Sequence, residues 1–180
     1  STFSPSWSAA ETLYEEVKRL SRSGEWRWIV TFHPKMNPET VAKFRALEND
    51  HLRFADDDNI LDLFPQVGMM CPDTSSALNE FLLTHKPVVT FKNRRPGPQL
   101  IDIDDASQFE PAIRRALERP PALMQAIVDY ADSIHPYRDG RSSERVLEAI
   151  DAFIAAGARN RRPKPMNLWR KLKIRRRIGY

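Results

Sequence analysis

The chain has 180 residues, 41% of them hydrophobic, and a formal net charge of +4. That length holds one domain with a real core plus a tail, and no apolar run approaches the roughly 20 residues of a membrane-spanning helix, so a soluble chain is expected. One cysteine, Cys71, and four scattered histidines exclude an internal disulfide framework and offer no metal-ligand spacing; the usage fits a reducing compartment.

In chain order, Ser1 stands where a Met would start a full chain, which suggests a fragment or processed product, and no charged-then-apolar leader follows it, so no secretory signal is expected. TFSPSW reads as a strand end turning into a loop. SAAETLYEEVKRLSR has the period of a surface helix, with Ser8 as cap and Glu11 completing a capping box. WRWIVTF is a short buried strand ending at His33 and Pro34. PETVAKFRALEN is helical, with Val41, Phe44 and Leu47 on one face. HLRFA is a second strand, NILDLFPQ a short helix stopped by Pro65, and VGMMC a third strand. A helix then starts inside the DTSS cluster and puts Leu78, Phe81 and Leu82 on its buried face. PVVTF and QLIDI are the fourth and fifth strands. This alternation predicts a doubly wound parallel α/β sheet. From Asp105 onward three helices follow, ASQFEPAIRRALER, PPALMQAIVDYADSI and SSERVLEAIDAFIAAG, the last with an apolar stripe of Val146, Leu147, Ile150, Phe153 and Ile154. The expected division is a domain over residues 1–157 and a basic tail over 158–180.

The charge is unevenly placed. Ten of the 28 Lys and Arg residues follow Asp151, where no acidic residue remains, and the rest of the chain carries 18 cations against 24 acids, a net of −6. In the tail, Trp169, Arg170, Lys171, Lys173, Arg175, Arg176 and Arg177 stand among Leu168, Leu172 and Ile178. A helix there suits an anionic membrane surface; a solvated, disordered terminus and a segment that folds back on an acidic N-terminal domain are the alternatives. The acidic body and the lack of a base-stacking platform argue against nucleic acid.

Ligands of open parallel sheets bind beyond the carboxyl ends of the strands, where helix N-termini favour phosphate. HPK after the first strand and PDTSS after the third occupy such places. Thr74, Ser75 and Ser76 can grip a diphosphate, or they can cap a helix, and spacing does not separate the two readings. Glu80, one turn beyond Ser76, can accept ribose hydroxyls or be a plain surface carboxylate; Asp73 can be a plain cap. His33 can donate to a phosphate oxygen or titrate near neutrality, though a lone histidine in a loop is more often structural; it is the catalytic candidate. In ADDDN, Asp58 and Asn59 read as helix caps rather than metal ligands.

Taken together, TFSPSW, VTFHPK, MCPDTSSALNEFLLTHKPVVTF and DGRSSERVLEAI resemble, in that order, the C-terminal half of the CDP-glycerol glycerophosphotransferase family, which includes teichoic acid polymerases and has a GT-B fold. The corresponding family segments are "PTW", a histidine-proline segment, "SD-x-SS" followed by "KP" and a strand, and "DGKASERI". The resemblance implies a cytidine diphosphate-alditol or sugar donor bound in this half, with transfer to a hydroxyl acceptor held by an N-terminal half that the sequence does not contain. It places His33 near the donor phosphates and Thr74, Ser75 and Ser76 as the hydroxyl cluster. Asp73 or Glu80 becomes the ribose-contacting acid, and Pro34, Arg141, Ser142 and Ser143 lie at the donor cleft. No cofactor is expected beyond the donor nucleotide, and the fragment alone is expected to be inactive. The implied setting is envelope polysaccharide synthesis on the cytoplasmic face of the cell membrane. A half similar to UDP-N-acetylglucosamine 2-epimerase is the rival, though the epimerases' "SGG" is missing; a non-catalytic scaffold with a membrane-binding tail is the third reading.

Overall fold

The computed structural model describes residues 8–55, 59–73, 75–156 and 167–179. TFSPSW, Thr74 and the boundary expected at residue 157 lie outside the described residues. The chain is mixed α/β and divides into two compact units, Ser1–Pro136 and Tyr137–Tyr180.

In the first unit, helix α1 (Ala10–Arg22) forms because Leu13, Val17 and Leu20 recur at helical spacing, and Val17 and Leu20 are buried. Ser8 Oγ accepts the Ala10 N–H at 3.2 Å. The expected capping box does not close: Glu11 turns instead to Thr40 and Lys43 on helix α2 (Pro38–Arg45), where two donors outcompete a backbone N–H. Gly24, at φ +74°, turns the chain after α1, and a Cβ there would stand 3.2 Å from the His51 ring.

Strand β1 (Trp28–Val30) runs parallel to β2 (Leu52–Phe54), with Trp28 opposite Leu52 and Val30 opposite Phe54. The crossover between them is α2, which starts on Pro38 with Asn37 Oδ1 accepting the Glu39 N–H. Asn59 caps helix α3 (Ile60–Leu63), and a 3-10 turn over Phe64–Gln66 follows. Helix α4 (Ala77–Leu82) buries Phe81 and Leu82 completely. Strands β3 (Val89–Phe91) and β4 (Ile101–Ile103) form a second parallel ladder, joined across it by the Thr90 hydroxyl donating to Asp102 at 2.7 Å. Helices α5 (Phe109–Leu117) and α6 (Pro121–Ile134) complete the unit. Arg19 and Glu110 tie α1 to α5, and the Tyr130 hydroxyl donates to Asn79 to tie α6 to α4.

Four of the five expected strands form, each within its expected stretch. The exception is VGMMC, of which only Met70 pairs, through a single parallel bridge to Val88. The Met70 N–H donates to Pro87 and its carbonyl accepts from Val89, so Met70 is bonded on its β3 side alone. β1 spends Trp28 and Val30 on β2, with Trp28 N–H donating to His51 and Val30 accepting from Ala55. The alternation of a parallel ladder directs the Ile29 and Thr31 peptides the opposite way. Among the described residues, no backbone hydrogen bond joins Ile29 or Thr31 to Met69 or Cys71. The expected continuous sheet is therefore two ladders, β1-β2 and β3-β4, with an unbonded seam bordered by β1 and Met70.

The second unit holds helices α7 (Ser142–Ala155) and α8 (Leu168–Ile178). Val146, Leu147, Ile150, Phe153 and Ile154 on α7 are all exposed. Among the described residues, no helix is long and apolar enough to cross a membrane.

Candidate functional site

The seam opens into a cavity of about 770 Å³ inside the first unit. Its walls are mostly aromatic and aliphatic: Trp28 and Phe32 come from the β1 side, Met69 and Phe91 from the β3 side, and Phe81 and Phe109 from helices. At the carboxyl ends of the strands its rim is formed by Thr31 and Phe32 after β1 and by Cys71, Pro72, Asp73 and Ser75 after Met70. A pocket of this size and character suits a small organic ligand held by apolar contact and oriented by a few polar groups.

Of the residues singled out in the sequence, Asp73 and Ser75 line this rim. Asp73 is buried at 8% exposure, and its carbonyl accepts the Ser75 N–H at 2.9 Å. Ser75 Oγ accepts the Ala77 N–H at 3.3 Å, so it caps the first turn of α4 while its own hydrogen stays available to donate. Capping and ligand contact are thus compatible at one hydroxyl. Thr74 lies outside the described residues. Ser76 and Glu80 are exposed and are not among the cavity-lining residues.

His33 follows the rim by one residue but does not line the cavity. Its Nδ1 accepts the Lys35 N–H at 3.1 Å and its carbonyl accepts the Met36 N–H at 2.8 Å, folding HPKM into a turn that leaves His33 and Pro34 exposed. With Nδ1 accepting from Lys35, donation from the ring falls to Nε2.

Arg141, Ser142 and Ser143 belong to the second unit, at the start of α7. DGRSSER makes its own clamp there: both guanidinium nitrogens of Arg145 grip the Asp139 carboxylate, which also accepts the Arg141 N–H, while Arg141 Nε reaches Glu144 at 2.7 Å. Arg145 also stacks 4.0 Å from the Tyr137 ring centre. These contacts, Arg145 first, hold the Asp139 carboxyl well below the usual range.

Two features of the site were not singled out in the sequence. Lys86, in the KP dipeptide before β3, donates to the carbonyls of Phe64 at 2.7 Å and Val67 at 2.9 Å, pinning the 3-10 turn beneath the cavity wall. The indole Nε1 of Trp28 is buried without a hydrogen-bond partner among the described residues. WRWIVTF reads as a buried strand, but a strand period does not reveal that one edge of it stays unpaired.

Comparison with protein-family models finds no match to the chain, and no curated protein matches it.

Proposed function

We propose that the first unit binds the activated donor of a transferase, a nucleoside diphosphate carrying an alditol or a sugar, as the donor half of an enzyme of the GT-B class. On this reading the two ladders are parts of one doubly wound sheet, in the order β2-β1-Met70-β3-β4. The chain reverses its direction of growth at the seam, the switch point where such sheets hold nucleotides. The observation that carries the proposal is the cavity rim at the carboxyl ends of the strands, where Asp73 and Ser75 stand beside an aromatic wall.

The roles follow from chemistry. Trp28 and Phe32 offer faces on which a base can stack. Ser75 donates to a diphosphate oxygen, and the Asp73 carboxylate accepts from ribose hydroxyls. His33, through Nε2, supplies a further donor to the phosphates at the edge of the rim. Breaking the donor phosphoanhydride builds charge on the departing nucleoside monophosphate, and fixed donors stabilise that charge more than the ground state. The base that takes the acceptor proton comes from a partner half.

Calorimetry with CDP and CMP tests this. Binding is expected in the micromolar to millimolar range, with Ser75→Ala and Asp73→Asn each weakening it about tenfold. Absence of heat from folded protein at millimolar nucleotide overturns the proposal, and a clear preference for UDP turns it toward the epimerase-like reading.

A further inference from the structure

Helix α8 lies in the second unit. Its Trp169 is 89% exposed, and Leu168, Leu172, Ile174 and Ile178 are exposed by between 48% and 63%. Arg170, Lys171, Lys173, Arg175, Arg176 and Arg177 make no ion pair or hydrogen bond through their side chains with any described residue. Gly179, at φ +75°, ends the helix in a left-handed cap.

With successive residues about 100° apart, Leu168 and Leu172 form one ridge, Ile174 and Ile178 a second, and Lys171 with Arg175 a basic ridge between them. Trp169 flanks the leucine ridge with Arg176 between them, and Arg170, Lys173 and Arg177 occupy the remaining face. We propose that α8 lies flat on an anionic lipid bilayer, its two apolar ridges in the acyl boundary and Lys171 and Arg175 bent outward to the headgroups.

Two observations choose this partner. Six cations unpaired among the described residues, with no acidic residue after Asp151, favour a partner of high negative charge. Five large apolar side chains demand a place out of water, and burying one Leu or Ile strengthens association by about tenfold or more. A nucleic-acid groove meets the first demand and leaves those side chains in water. A bilayer interface meets both. The basic ridge within the apolar face also keeps insertion shallow: those cations gain from headgroup phosphates and lose if drawn into hydrocarbon. Attachment is therefore conditional on anionic lipid.

Cosedimentation of the whole chain with vesicles tests the proposal. Binding is expected to phosphatidylcholine vesicles enriched in phosphatidylglycerol and not to phosphatidylcholine alone. K171Q with R175Q should weaken it roughly thirtyfold through lost charge, and L168S with L172S, which keeps every charge, by tenfold or more. Three results each overturn it: equal binding to neutral vesicles, unchanged binding of L168S with L172S, or tighter binding to duplex DNA than to the anionic vesicles. The variants alter an exposed helix, so circular dichroism matching the parent protein keeps the comparison valid.

Discussion

Lys86 and Trp28 are neighbours of the same cavity wall with opposite energetic signs. The Lys86 ammonium donates to two carbonyls, so Lys86→Met removes that donor from both and should cost about 1–3 kcal/mol in urea unfolding. The Trp28 indole Nε1–H is buried with no partner among the described residues, a penalty already present in the folded state. Replacing it by Phe removes that penalty along with some buried area, and the net change should stay within about 1 kcal/mol. Phe81→Ala, with no polar atom to relieve, should cost about 3–5 kcal/mol. If Trp28→Phe were as damaging as Phe81→Ala, the indole nitrogen would have to be bonded in solution.

Among the elements, α1 and α5 are tied by charge. Glu110 accepts from Arg114 and from Arg19, and Arg114 also holds Glu25 through two nitrogens. Arg114 first and Arg19 second keep the Glu110 carboxyl below its ordinary range. A carboxyl lowered on folding stabilises the fold at pH above its unfolded value, and that contribution is lost as pH falls through the lower folded value. Arg114→Gln should therefore flatten the fall in melting temperature as pH drops from about 5 to about 3, the window that opens near the unfolded glutamate pKa of about 4.3. An unchanged acid slope would place the contribution elsewhere. The helices were legible in the sequence because a stripe such as Leu13, Val17 and Leu20 needs only its own chain to declare its period. The Met69–Cys71 stretch was not, since a short apolar run becomes a strand only where edges on both sides accept it, and that depends on residues far away. Asp73 and Ser75 were legible for their place after the third apolar run. The Asp139 and Arg145 clamp was not, because DGRSSER gives its residue types without saying which carboxylate the second arginine takes.

Across the whole molecule, the parallel ladders are each two strands wide, fewer than such sheets need to stand alone, and the helices α1, α4, α5 and α6 supply the remaining burial. A ligand in the cavity adds contacts to both ladders at once. Saturating nucleotide is thus expected to raise the melting temperature in proportion to its affinity, by about 2.7 kcal/mol of stability at a hundredfold excess over Kd. A shift confined to nonspecific polyphosphate would point to surface charge instead. The seam also changes what the middle of the unit does in time. Peptides at the heart of a parallel sheet ordinarily give up their amide protons last, yet the amides of Ile29, Thr31, Met69 and Cys71 have no carbonyl partner among the described residues. They should exchange among the earliest, splitting a slow core into two protected islands, and whatever fills the gap should fuse those islands into one.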